Sequence, residues 1–316
     1  MILALAGGVG GAKLAHGLAR VLAPRELVIA VNTGDDFEHL GLLVCPDLDT
    51  VMYTLAGAAN PATGWGLAGE TWNFMAALER LGGPAWFRLG DRDLATHVER
   101  TRRRAAGESL SAIAAALCAR HGVAHPVVPM SDDPVRTIVR TDAGDLEFQH
   151  YFVREKCAPE ARGFEYRGAP AARPAEALRA ALASPALEGV VLCPSNPWLS
   201  IGPLLALPGV RAALERCPNV VAVSPIVGGE AIKGPAAKIM RELGLEASAL
   251  GVARHYRGLV KTLVLDRADA PLAPAVQAAG LRALVTNTVM RDDAGRERLA
   301  RECVAQLRPA ARSAAA

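Results

Sequence analysis

MILALAGGVGGAKLAHGLARVLAPRELVIAV, residues 1–31, holds two apolar runs separated by a glycine cluster and a helical pattern. Met1–Ala6 and Glu26–Val31 are continuous rather than alternating, as expected of strands buried on both faces. Gly7–Gly11 makes the turn, and Lys13–Leu22 reads as the helix. Strand, glycine turn, helix and strand form the opening βαβ unit of a doubly wound sheet. Further along, Gly189–Cys193, Asn219–Val223, Leu259–Leu265 and Leu281–Thr286 repeat the apolar signature. Helices are expected at Pro174–Ala183, Pro208–Arg216 and Asp293–Gln306. The fold class is therefore α/β, a Rossmann-like, mostly parallel doubly wound sheet.

The middle of the chain breaks this rhythm. Gly69–Arg104 reads as mostly helical around a short Trp86–Phe87 strand. Val135–Arg140 and Leu146–Phe152 flank Thr141-Asp142-Ala143-Gly144, a hairpin signal. The Ala/Pro-rich stretch Pro159–Pro174 is expected to be the return linker. We expect one unit, residues 1–316, with a helical and hairpin insertion over approximately residues 65–170.

Composition excludes several classes. A net charge of +3 over 316 residues argues against a dedicated nucleic-acid or membrane-surface binder. No apolar run approaches the roughly 18 residues of a spanning helix, and glycines interrupt the apolar start, which lacks a basic leader. Six cysteines without a CxxC pair give neither a zinc spacing nor a disulfide framework. These features predict reduced thiols and a cytoplasmic location.

Polar loops follow several of the strands. Gly8, Gly10, Gly11 and Lys13 open a helix, where glycines admit a phosphate to backbone N–H groups and the dipole favours an anion. The same glycines would also serve tight strand-to-helix packing. Lys13 is followed by Leu14, so the loop is not a P-loop. Asn32-Thr33-Gly34-Asp35-Asp36 suits a hard divalent cation, or a polar turn with a helix cap. Asp47 is a candidate helix cap, with Asp49 in the first turn near the same mouth. Asp91, Arg92, Asp93 and His97 cluster behind Trp86-Phe87, although charge runs usually pair at the surface. Arg100 and Arg102–Arg104 suggest an anion-facing or a simply solvated helix, and the solvated face is the expectation. Ser195-Asn196, between two prolines, offers a hydroxyl and an amide. Gly228 and Gly229 permit close backbone approach, and Lys233 offers a point charge for phosphate. Together these loops indicate a phosphorylated, nucleotide-bearing ligand.

The words LALAGGVGGAKLAHGL, VNTGDDFEHLGLLVCPDLDTVMYTLAG, WFRLGDRDLATHVERT, PMSDDPVRTIVRT, FQHYFV, PSNPWLSIGPLL, SPIVGGEAIKGPAAKIM and TNTVMRD span residues 3–292. In this order they resemble the 2-phospho-L-lactate transferase family of coenzyme F420 biosynthesis. The resemblance implies a homodimer dependent on a divalent metal, usually Mg2+. It implies a guanosine diphosphate donor bearing phospholactate, phosphoenolpyruvate or a phosphoglyceryl acid. The acceptor would be the deazaflavin Fo, whose ribityl hydroxyl attacks phosphorus and expels GMP. Asp49 and Arg88 match the family's deazaflavin-contacting positions. Asp35, Asp36 and Asp49 become candidate metal ligands, with Asp49 and Asp36 the catalytic candidates. The diphosphate is expected between Gly8–Gly11 and Ser195-Asn196, and guanine nearer Gly228–Lys233.

Two other readings are weaker. A related family of nucleotide-sugar-binding gluconeogenesis factors usually carries glycine and serine after the paired aspartates, where this chain has Phe37-Glu38-His39-Leu40. An NAD-dependent dehydrogenase needs a third glycine where Lys13 stands.

Overall fold

The computed structural model describes residues 1–308. Seven strands build the central sheet: β1 (Ile2–Ala6), β2 (Leu27–Val31), β3 (Val127–Pro129), β4 (Gly189–Leu192), β5 (Val220–Val223), β6 (Thr262–Asp266) and β7 (Arg282–Thr286). Their spatial order is β7-β6-β5-β4-β1-β2-β3, and every pairing is parallel. The chain winds outward from β1 to β3 on one side and from β4 to β7 on the other. The switch point therefore lies between β1 and β4, where doubly wound sheets bind ligands beyond the strand carboxyl ends.

Both faces of the sheet are covered. Leu3 and Leu5 of β1 enter one core with Val190 and Leu192, while Ile2, Ala4 and Ala6 enter the other with Ile29, Val31 and Val191. All of these side chains are fully buried or nearly so, and each buried Leu or Ile contributes roughly 1.5–3 kcal/mol. Helices α1 (Gly8–Val21), α2 (Pro46–Leu55), α4 (Leu110–Arg120) and α5 (Asp293–Leu307) line the second core, and α3 (Asp91–Ala105) packs against α4. Helix α1 buries Gly11, Ala12, Leu14, Ala15 and Leu18 along one stripe. Among the described residues no helix is long and apolar enough to cross a membrane.

The central region departs from expectation in four places. Val127–Pro129, inside the span read as an insertion, is the edge strand β3, paired to β2. Three residues ending in proline carry too little pattern to announce a strand, and proline suits an edge. Trp86–Phe87 is a bend rather than a strand; its rings pack on Phe37 and His39 of the short Phe37–His39 strand, while its own backbone joins no ladder among the described residues. The second hairpin strand is Gly144–Glu147, after which the chain turns helically and buries Tyr151. Pro159–Pro174 is not merely a linker, since Ala161–Arg167 pairs antiparallel with Arg136–Thr141. Its Phe164-Glu165-Tyr166 alternation is the strand signal that the Ala/Pro composition obscured.

Candidate active site

The loops after β1 and β4 are stitched together at the switch point. Ser195 donates its hydroxyl to the Gly7 carbonyl (2.8 Å) and accepts from the Gly7 N–H (3.2 Å). A Cβ on Gly10 would stand 2.3 Å from the Pro194 carbonyl oxygen, and one on Gly11 2.6 Å from Ser195 Oγ. These two glycines thus let the loops touch. Gly10→Ala is expected to destabilise the protein by about 1–3 kcal/mol, because backbone must move; a chemical melt within 0.5 kcal/mol of wild type, on the order of a surface change, would contradict this. Gly8 adopts φ +64° and donates its N–H to Asp47 Oδ1 (2.6 Å).

Asn196 uses Oδ1 to cap the N–H groups of Trp198 and Leu199 (3.0 and 3.1 Å), leaving a buried Nδ2 without a partner. Lys13 donates to the Met290 carbonyl (3.2 Å). Its pKa is lowered by burial and then by the charges of Arg296 and Lys233. Lys233 donates to the Thr63 carbonyl (2.5 Å). Gly228 and Gly229 form the left-handed turn between Ile226–Val227 and Glu230–Ala231. The Gly228 N–H is held by both Asp269 oxygens at 3.1 Å.

Four buried carboxylates gather beyond β2: Asp35, Asp36, Asp47 and Asp49. Asn32 organises two of them, donating Nδ2 to Asp35 Oδ1 (3.2 Å) and Asp47 Oδ2 (3.0 Å). Gln149 reaches in from the hairpin region to Asp35 Oδ2 (3.3 Å). Asp47 does not cap α2, whose N-cap is Cys45; its carboxylate instead takes the N–H of Gly8 at the start of α1, whose own N-cap, Gly7, has no side chain to offer. Burial pushes Asp36 up to about 7 and Asp47 up to about 6. Asp35 is raised well above the carboxylate range by burial and then by the Asp47 and Asp36 charges. Asp36 Oδ1 and Asp49 Oδ2 are buried without hydrogen-bond partners among the described residues. So much buried negative charge with spare oxygens fits a hard cation.

Arg100 is 2% exposed, not on a solvated face, because Asp49 needs a buried countercharge. Its Nη2 donates to Asp49 Oδ1 and its Nη1 to the Leu43 carbonyl (3.3 Å). Arg102 and Arg104 are exposed as expected, Arg102 pairing with Glu99, whereas Arg103 is partly buried and pairs with Glu108.

The sequence profile described as 2-phospho-L-lactate transferase CofD matches residues 2–305. The chain belongs to the 2-phospho-L-lactate transferase CofD family. A Kitasatospora aureofaciens protein named phosphoenolpyruvate transferase is 43% identical over 312 residues, covering 96% of this chain and 97% of that one. A Methanosarcina acetivorans 2-phospho-L-lactate transferase is 37% identical over 289 residues, covering 92% and 93%. The crystal structure of protein BH3568 from Bacillus halodurans has the same fold (TM-score 0.61, 14% identity, covering 96% and 98%).

Within this CofD-family transferase, Arg88 lies two residues before the Gly90 N-cap of α3 and stacks on Trp72, 4.5 Å from the ring centroid. Trp86 and Phe87 belong to an aromatic group with Phe37, His39 and His150, with centroid separations of 4.8–6.0 Å. Asp49, Asp93 and His97 bring one ligand atom each within 4.8 Å of the others. The Arg100 guanidinium, bonded to Asp49 itself, offsets part of the negative charge in either grouping, and Asp36 Oδ1 and Asp49 Oδ2 remain the spare oxygens. Sequence reasoning overlooked Gln149, 114 residues from its partner, which no local pattern announces. It also overlooked the roles of Arg100 and Tyr53, although Asp93, His97 and Arg100 are spaced to share one helix face.

Proposed function

We propose that this transferase moves a phosphorylated three-carbon acid from its guanosine diphosphate adduct to the terminal ribityl hydroxyl of the deazaflavin Fo, in coenzyme F420 assembly. The hydroxyl oxygen bonds to the phosphorus that carries the acid and gives its proton to Asp49, the bond from that phosphorus to the bridging oxygen breaks, and GMP leaves with the electron pair of that bond. The observation that carries this reading is the group of buried carboxylates, in which Asp47 is tied to the glycine loop through the Gly8 N–H and Asp49 keeps one oxygen without a partner among the described residues. Phosphoryl-type transfer needs a positioned hydroxyl and charge neutralisation, not a protein nucleophile. Asp36 and Asp49 would hold a Mg2+ ion, which on binding neutralises phosphate charge. Gly8, Gly10, Gly11, Lys13, Ser195 and Asn196 frame the diphosphate in this reading. The half-buried Trp86 and Phe87 offer apolar surface for the flavin ring.

The relatives named phosphoenolpyruvate transferase, at 43% identity, favour phosphoenolpyruvate as the acid over phospholactate, named at 37%. Mass spectrometry of Fo incubated with each guanosine diphosphate adduct tests this. The dehydro product is expected to dominate, and no Fo adduct from any donor would refute the reading. The homodimer implied by the resemblance is checked by sedimentation of the same sample.

Arg88→Ala is expected to raise the KM for Fo about tenfold, since one cation–π or charge-assisted contact is worth about 1–2 kcal/mol. GDP affinity should stay unchanged. Loss of GDP binding with an unaltered KM for Fo would move Arg88 to the donor side.

A further inference from the structure

We propose that Arg100, His97, Asp93 and Tyr53 form a buried cradle that positions Asp49, holding one carboxylate oxygen so that the other faces the attacking hydroxyl. The proposal rests on the acceptor chemistry just assigned to Asp49. None of the four residues needs to touch substrate. They are positioning residues.

The cradle can be followed atom by atom. Arg100 Nη2 binds Asp49 Oδ1, while Nη1 is tied to the Leu43 carbonyl (3.3 Å) and lies 3.2 Å from His97 Nδ1. A guanidinium only donates, so His97 Nδ1 accepts. The ring proton then sits on Nε2, 3.4 Å from Asp93 Oδ2, an electrostatic contact that falls outside hydrogen-bond geometry. Tyr53 donates to Asp93 Oδ1 (2.7 Å) and contacts Thr96 Oγ1 (2.8 Å). Tyr53 lies one turn beyond Asp49 on α2, and Asp93, His97 and Arg100 share a face of α3. The two helices are thereby locked through a loop of polar contacts that begins and ends beside Asp49.

What this arrangement leaves free is informative. His97 Nδ1 stands 3.7 Å from Asp49 Oδ2, but its lone pair is already directed to Arg100. Asp49 Oδ2 is left buried without a partner. Both Arg100 and His97 are 2% exposed, so water does not compete for these contacts. A carboxylate serving stability alone would gain by using both oxygens on the guanidinium. Here one oxygen is anchored and the other is withheld.

The test uses Arg100→Lys and Tyr53→Phe in the full chain. Lysine keeps the charge but cannot bridge Asp49 and the Leu43 carbonyl together. We expect its kcat to fall about 100-fold, as for a displaced reacting group, with the donor's KM changed less than about threefold and Fo still bound. Tyr53→Phe, which removes no atom of the Arg100–Asp49 pair but releases Asp93 beneath it, is expected to lose about tenfold in kcat with the same KM pattern. Crystal structures of both variants should show the Asp49 carboxylate rotated from its wild-type orientation. An unmoved carboxylate, or kcat within about threefold of wild type in both folded variants, would overturn the cradle. If Arg100→Lys fails to fold, Tyr53→Phe decides by the same two readouts. Wild-type protein that cannot transfer to Fo would instead reject the assigned reaction, and the Asp49 orientation in the variants would then decide the cradle alone.

Discussion

Asp49→Asn is expected to transfer at roughly a thousandth of the wild-type rate or less, while unfolding close to the wild-type temperature. The amide retains a carbonyl oxygen for Arg100 Nη2, so the buried contact survives in weakened form. What disappears is the negative charge on Oδ2, the oxygen we propose to orient the hydroxyl and meet the cation. Loss of such an electrostatic and proton-accepting contribution commonly costs about 10²–10⁴ in rate. Asp49→Ala should behave differently, because it also strands a fully buried guanidinium. Removing one member of a buried ion pair costs about 3–5 kcal/mol, so that variant confounds folding with chemistry. Single-turnover transfer to Fo, followed beside a thermal melt, separates the two. Turnover within tenfold of wild type by Asp49→Asn at saturating magnesium would remove Asp49 from catalysis.

In EDTA the protein is expected to lose stability as pH rises from about 5 to 8, the reverse of ordinary carboxylate behaviour. Asp36 titrates at about 7 and Asp47 at about 6 in the fold because they are buried, whereas unfolded aspartate titrates near 3.9. Between these values the native state holds protons that the unfolded state has released. Stability therefore falls with increasing pH across that window, and the contribution of these protons is gone above the folded pKa. Every tenfold difference in proton affinity between the folded and unfolded chain is worth about 1.4 kcal/mol, so the melting temperature should drop by roughly 5–10 °C. Magnesium should restore most of this at pH 8 and little at pH 5, where protons already neutralise the group. Activity should vanish in EDTA and return with magnesium or manganese. Asp36→Asn should raise the metal-free melting temperature at pH 8, yet abolish metal-dependent donor binding and leave metal-free Fo binding intact. Full turnover in excess chelator, or a metal-free melting temperature that climbs over this window, would count against a cation at these carboxylates.

Much of the architecture was legible from local pattern. Strands β1, β2 and β4–β6 are buried on both faces, so their apolar runs were continuous and needed no knowledge of partners. The family words around Gly8–Gly11, Asp35-Asp36 and Asp47–Asp49 likewise pointed to one end of the sheet. The edge strand β3 and Ala161–Arg167 escaped because strand identity there depends on pairing: three residues acquire it from β2, and seven from Arg136–Thr141.

The chain alone determined a doubly wound sheet and the polar, glycine-shaped loops that follow its strands, since both follow from hydrophobic runs and loop chemistry. Only the tertiary structure decided what each residue does there. Asp47 left its own helix for the Gly8 N–H, and Gln149 crossed from the hairpin region to Asp35. Arg100, read as a solvated charge, became the buried countercharge of Asp49, 51 residues away. Burial selects such partners by distance and dielectric, and neither is written in the order of residues.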